Sequence, residues 1–134
     1  MITTDAAGIG PWVCARTGGS YHGDGAAIGL KKDGVLIAGV LFDMYNGKSA
    51  CMHVAALPGK RWMTRLYLKA CFDYPFRQLR LRKLIGLVDS TNIESLAFTA
   101  NLGFVTEAVV TDAGKYGDLH ILTMTPAQCR FLKD

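Results

Sequence analysis

The sequence predicts one α/β domain on a mixed sheet, with its elements in the order β-β-β-α-β-α-β-β. Three observations carry this expectation. The chain has 134 residues, half of them apolar, which is enough for one hydrophobic core and too little for two. Val35 to Phe42 and Leu84 to Val88 are continuous apolar runs rich in β-branched residues, as in strands buried on both faces. A helical pattern lies between those runs and a second one follows them. The order strand, helix, strand implies a parallel crossover, and a sheet with helices packed on it.

Along the chain, residues 1–25 form an irregular glycine-rich lead-in to a domain spanning 26–134. Six glycines fall within residues 1–27, and the only element expected there is a short strand or turn near Trp12–Arg16. Ala26 to Lys31 is the first strand. Asn46-Gly47 is a hairpin signal that pairs Val35–Phe42 antiparallel with Ser49–Ala56. Pro58-Gly59 breaks that strand. A helix is expected from about Arg61 to Asp73, with Met63, Leu66, Tyr67 and Ala70 on its buried face and Pro75 ending it. A second helix runs from about Asn92 to Leu102, capped by Thr91 with Glu94 completing a capping box. Its buried face is Ile93, Leu96, Ala97 and Ala100, and Gly103 takes the left-handed stop. Strands near Val105–Thr111 and Leu119–Thr125 close the domain, joined by a turn around Gly114–Gly117.

Composition excludes several classes. The longest apolar run, Val35 to Phe42, is far short of the roughly 18 to 20 residues of a membrane span, and no secretory pattern opens the chain. A soluble, cytoplasmic protein without a membrane partner is expected, with Cys14, Cys51, Cys71 and Cys129 as reduced, mostly buried thiols. No metal-ligand cluster, Walker loop, dinucleotide fingerprint or G-x-S-x-G elbow is present.

Charge is uneven. Residues 60–83 hold eight of the fifteen basic residues and one acid, Asp73, so that window is +7 and the rest of the chain −3. Such a patch attracts an anion or is a solvated helix face. Trp62, Tyr67, Phe72, Tyr74 and Phe76 interleave with it, as base-stacking or, at helical spacing, core residues; no RNA-recognition or zinc-finger signature favours nucleic acid. Where Ser49–Ala56 runs into the next helix, free N–H groups and the helix dipole make an anion site, with Lys60, Arg61 and Arg65 adding charge. His53 stands beside it as a candidate general base or a hydrogen-bonded strand histidine. Asp43 and Glu107 are other candidate bases, and His120 is a packing or surface residue.

The run LIGLVDSTNIESLAFTANLGFVTEAVV followed by GDLHILTM resembles the C-terminal half of the Gcn5-related N-acetyltransferase (GNAT) superfamily. It is nearest to the branch that acetylates ribosomal-protein N-termini. Asn92, Ser95, Leu102, Gly103, Phe104, Glu107 and Asp118 fall in step with that branch, and Ala108 replaces its usual glycine. With the upstream strand, hairpin, loop and helix, the resemblance covers roughly residues 26–126. The chain is similar to short, altered members found in phage and prophage genomes.

The resemblance implies an acetyl-CoA-dependent acyltransferase acting on a primary amine by direct attack, with His53 or Glu107 as base. Val54, Ala55 and Ala56 would pair with the pantetheine arm. Gly59, Lys60, Arg61, Trp62, Met63, Thr64 and Arg65 would surround the pyrophosphate, and Asn92, Ser95 and Thr99 would line the cofactor from the second helix. Three departures stand out. In the phosphate loop, Gly59 takes the place of Arg or Gln, and Trp62 and Thr64 replace two glycines, which crowds the wall. Thr99 stands where many members carry a tyrosine acid. The two helices that usually shape the acceptor site would lie before residue 26 and are not legible. The alternatives are a GNAT-fold binding or structural module without catalysis, and a basic nucleic-acid-binding domain. The sheet edge near residues 105–125 is a candidate homodimer surface.

Overall fold

A computed structural model describes residues 1–132. Its elements are β1 (Ile2–Thr3), α1 (Ala6–Thr17), β2 (Ala26–Lys32), β3 (Val35–Asp43), β4 (Ser49–Ala56), α2 (Arg65–Asp73), β5 (Lys83–Asp89), α3 (Ile93–Leu102), β6 (Val105–Val110) and β7 (Leu119–Met124). They form one seven-stranded sheet in the order β1-β2-β3-β4-β5-β7-β6. The predicted α/β class and the order from β2 onward hold. Every neighbouring pair is antiparallel except β4 and β5, which are joined through α2 as the crossover argument requires.

The Asn46 hairpin forms with a longer loop than a two-residue turn. The Asn46 side-chain oxygen accepts from the N–H of Lys48 (2.9 Å) and of Ser49 (2.8 Å). This closure by an Asx turn fixes the β3–β4 register.

The lead-in is not irregular. It contributes the edge strand β1 and the twelve-residue helix α1. Glycines and Pro11 obscured the helical period, yet Ile9, Gly10, Val13 and Cys14 form one buried stripe. The stripe lies on β2, β3 and β4, and glycine in the sheet lets it approach. A Cβ on Gly39 would stand 2.8 Å from Val13 Cγ2 and 3.0 Å from Ile9 Cγ2. One acceptor-side helix is therefore present where the resemblance implies two.

α2 starts at Arg65, four residues later than expected, because Thr64 is its N-cap: the Thr64 hydroxyl accepts from the Tyr67 N–H at 3.2 Å. The shift rotates the buried face to Tyr67, Leu68, Cys71 and Phe72, leaving Leu66 73% exposed and Met63 46% exposed. Pro75 does not stop the chain from coiling; it sits inside a π-helical turn, Tyr74–Gln78, that continues α2. In α3 the cap is Asn92, whose side chain accepts from the Ser95 N–H at 3.1 Å. Thr91 instead bonds Asp89 through both its N–H and its hydroxyl. The expected apolar face of α3 is largely outward, with Ile93 74% exposed. Gly103 does end the helix in the left-handed region.

Two cores follow from the alternation of the strands. The larger joins Phe42, Met52, Leu84, Val88, Leu122 and Met124 to the buried side of α2 and to Leu102 and Phe104. The smaller lies between α1 and the opposite face, around Ala27, Leu41 and Ala55. All four cysteines are unbridged, and burial pushes the Cys71 thiol up to about 12. Among the described residues no helix is long and apolar enough to cross a membrane.

Candidate active site

β4 and β5 pair only at Ser49–Cys51 with Lys83–Ile85. Beyond that register they diverge, and α1 and α3 stand on opposite faces of the gap. The result is a cleft of about 750 Å³. One wall is the inward strip of α3, where Asn92, Ser95, Phe98 and Thr99 recur at helical spacing. Across the sheet, the other wall is the end of α1, Arg16–Gly19, with Lys115 and Tyr116 of the β6–β7 connection. Met52, His53 and Val54 come from β4 and Gly86 to Asp89 from β5.

His53, which lines the cleft, is paired with Asp43. They sit on adjacent strands, with Nε2 2.8 Å from Asp43 Oδ1 and both side chains partly buried. A carboxylate only accepts, so it takes the proton of Nε2 and leaves Nδ1 with the lone pair. Met52 and Val54 pack into the α2-side core while Ala55 packs under α1. By alternation His53 is therefore on the α1 face.

A second cluster shapes the cleft mouth. The Asp89 carboxylate accepts from the Thr91 N–H (2.9 Å) and hydroxyl (2.8 Å), the Tyr116 N–H (2.8 Å) and the Gly117 N–H (3.3 Å). The Ser90 hydroxyl accepts from the Asp118 N–H at 2.9 Å. A Cβ on Gly114 would stand 2.4 Å from Asp89 Oδ2, so a glycine is needed for the loop to close over the carboxylate. These donors, led by the Tyr116 N–H and then Thr91, hold the Asp89 carboxyl down to about 2. Stability from this group is complete above the ordinary carboxylate range and is lost as pH falls through about 2. Asp89→Asn should therefore remove part of the stability change between about pH 4 and pH 2, measured by urea unfolding at stepped pH; an unchanged acid limb would refute the clamp.

Of the sequence-selected residues, the cleft brings together His53, Val54, Asn92, Ser95 and Thr99. Ala55 is buried under α1 and Ala56 packs on the α2 side. Gly59, Lys60, Arg61, Met63, Thr64 and Arg65 are exposed on the segment after β4, outside the cleft lining. Trp62 turns inward, its ring 5.7 Å from Phe98 and 6.3 Å from Tyr67. The two residues in glycine positions thus have structural duties, Trp62 tying the loop to α3 and Thr64 capping α2. The N–H groups of Arg65 and Leu66 have no acceptor among the described residues, and Lys60, Arg61 and Arg65 have no ion-pair partner there.

Glu107 is not in the cleft. A bulge between Thr106 and Ala108 sets it against β7, where it pairs with the Lys83 ammonium and accepts from the Thr123 hydroxyl at 2.9 Å. These donors hold its carboxyl below the usual range. The Thr99 hydroxyl donates within α3, to the carbonyls of Ser95 (2.8 Å) and Leu96 (3.1 Å), so its single proton is engaged. His120 lies on β7 between Val88 and Val109, apart from the cleft. Among the described residues no group of three or more His, Cys, Asp or Glu side chains is placed to hold a metal.

Sequence reasoning missed Arg16–Gly19, the Asp89 cluster, Lys115 and Tyr116. The only local signals were Asp-Ser-Thr at 89–91 and the glycines at 114 and 117.

No protein-family model and no curated protein matches the chain. Solved structures do. A mutant spermidine N-acetyltransferase SpeG from Vibrio cholerae superposes with a TM-score of 0.68 at 20% identity, over 84% of this chain and 71% of that one. Mutant forms of the spermidine/spermine N-acetyltransferase SpeG from the same organism give 0.74 at 15% identity, over 95% of each. The SpeG complex with manganese ions gives 0.72 at 17% identity, over 93% of this chain and 91% of that one. At these identities the likeness is one of architecture: the chain shares the fold of the SpeG N-acetyltransferases.

Proposed function

We propose that the protein is an acetyl-CoA-dependent N-acetyltransferase that acylates a primary amine in the β4–β5 cleft. The observation that carries this reading is His53, which lines the cleft just past the paired stretch of β4 and β5 and is held by Asp43 from β3, with a polar helix strip on the other face. The architecture shared with the SpeG N-acetyltransferases supports it.

The chain's groups fit acetyl-CoA. Past Cys51 the β4 edge has no β5 partner, so its backbone is open to the pantetheine arm. The free N–H groups at the start of α2, with Lys60, Arg61 and Arg65, form a positive end for the pyrophosphate. Asn92 spends its oxygen on the cap, which leaves its amide N–H groups as donors, and Ser95 adds a hydroxyl.

Bound acetyl-CoA supplies an activated acyl carbon. The neutral amine forms the new N–C bond and the C–S bond breaks, releasing the thiolate. Nδ1 of His53 takes the amine proton, and Asp43 holds the ring and stabilises the imidazolium. An unpaired β4 N–H stabilises the oxyanion. With the Thr99 proton engaged in its helix, solvent protonates the leaving thiolate. The reading further includes a cytoplasmic setting, the ribosomal-type branch implied by Asn92, Ser95, Leu102, Gly103, Phe104, Glu107 and Asp118, a phage-type origin implied by the likeness to short, altered members, and self-association at the sheet edge near residues 105–125.

A GNAT-fold binding module is the second reading, favoured by Trp62 in the loop's first glycine position. Release of free thiol from acetyl-CoA on addition of primary amines separates the two. Amine-dependent release supports transfer. No release, with acetyl-CoA bound, would assign the fold to binding.

A further inference from the structure

The α1 side of the cleft, where an acceptor would approach His53, is cationic. Besides His53, the charged side chains lining the cleft are Arg16, Asp89 and Lys115. Asp89 is already engaged by four donors from Thr91, Tyr116 and Gly117, against roughly four lone-pair positions on a carboxylate. Asp43 is committed to His53. No free carboxylate lining the cleft is left to receive an ammonium group.

The two cations, by contrast, have no carboxylate partner among the described residues. The Arg16 guanidinium lies 3.8 Å from the Trp12 ring centroid and gives one N–H to the Trp12 carbonyl at 3.0 Å, so it is oriented while keeping donors to spare. Lys115 lies 5.3 Å from the Tyr116 ring centroid on the connection that the Asp89 cluster fixes in place. One cation comes from the end of α1 and the other from the β6–β7 connection, both lining the cleft that His53 lines. A polycation entering here meets two unpaired positive charges, whereas an anion meets two unused donors.

We propose that the acceptor is a small primary amine that also carries an anionic group, a carboxylate or a phosphate, held by Arg16 and Lys115 while its amine faces His53, and that polyamines are disfavoured. This rests on the acetyl-transfer reading above, and it parts from the spermidine named for the SpeG proteins.

The test compares β-alanine, phosphoethanolamine, propylamine and spermidine as acceptors, following thiol release from acetyl-CoA. The expected result is a kcat/KM for at least one anionic amine roughly tenfold or more above both propylamine and spermidine, a factor that one good charged contact supplies. The ratio of the two anionic amines tells carboxylate from phosphate. Arg16→Glu and Lys115→Glu should each raise KM for the anionic amine by about tenfold without raising it for propylamine, and with the acetyl-CoA-induced rise in unfolding midpoint retained. Arg16→Gln should fall between. Preference for spermidine, turnover of none of the four despite acetyl-CoA binding, or an unchanged anionic preference in the charge-reversed variants would overturn the inference. Loss of the acetyl-CoA effect in the unmodified protein would instead overturn the acetyl-transfer reading, and the inference with it.

Discussion

Replacing His53 by alanine is expected to lower kcat for amine acetylation by about 10²–10⁴-fold, the usual contribution of a positioned base. The imidazole is the cleft's titratable nitrogen with an oriented partner, Asp43 at 2.8 Å. The alternative carboxylates are occupied, Asp89 by its four donors and Glu107 by Lys83 and Thr123 on a strand outside the cleft. Since His53 is on the α1 face, its loss should leave acetyl-CoA binding intact, so the defect appears in kcat at saturating cofactor. Asp43→Asn should produce a smaller defect of the same kind, because the ring remains but loses the carboxylate that stabilises its charged form. Full activity in His53→Ala, measured by thiol release, would place the base elsewhere.

The largest stability effect is expected for Phe72→Ala, about 3–5 kcal/mol. Phe72 is 0% exposed and is stacked between Phe131, with ring centroids 5.0 Å apart, and Phe76, at 6.5 Å. Truncation removes the ring from both contacts and opens a cavity where α2 meets the C-terminal turns. Leu66→Ala, one face away on the same helix, should change stability by no more than about 0.5 kcal/mol, because its side chain is in solvent. Urea unfolding of the two variants checks the orientation of α2 directly. A larger loss for Leu66→Ala would mean that the helix is rotated toward the face the bare periodicity suggests.

That pair of variants also marks where the sequence is legible and where it is not. The strands β3 and β5 were readable as continuous apolar runs, although only β3 is buried on both faces while β5 leaves Leu87 49% exposed at the cleft; the hairpin was readable because Asn46 carries its own hydrogen-bonding solution. Helix starts were misplaced wherever a side-chain cap decides them. Thr64 and Asn92 each move the first helical residue, and in α2 that shift changes which residues face inward. α1 was hidden for a different reason. Its glycines and Pro11 look like loop signals, but its stability comes from tertiary packing on a glycine-lined stretch of sheet, which no local pattern reports.

The candidate site divides in the same way. His53 was found because it stands on a predicted strand beside a strand–helix junction, whereas Asn92, Ser95 and Thr99 were reached only through the family resemblance. Asp89 and the connection carrying Lys115 and Tyr116 were not found, because their hydrogen bonds span 27 and 28 residues of sequence. The functions assigned to Trp62 and Thr64 also needed coordinates. By resemblance alone they are lost glycines; in the fold one ties the loop to Phe98 and the other caps α2.

The account's central claim is that the splay between β4 and β5 receives acetyl-CoA. Thermal unfolding with and without the cofactor tests it most directly. At 100 times its dissociation constant a ligand adds about 2.7 kcal/mol, which for a domain of this size raises the midpoint by on the order of 5 °C or more. The account predicts such a rise with acetyl-CoA, none with ATP at equal charge, and a reduced rise in Asn92→Ala and Arg61→Glu. A midpoint that does not move with acetyl-CoA, or that moves equally with ATP, would contradict it.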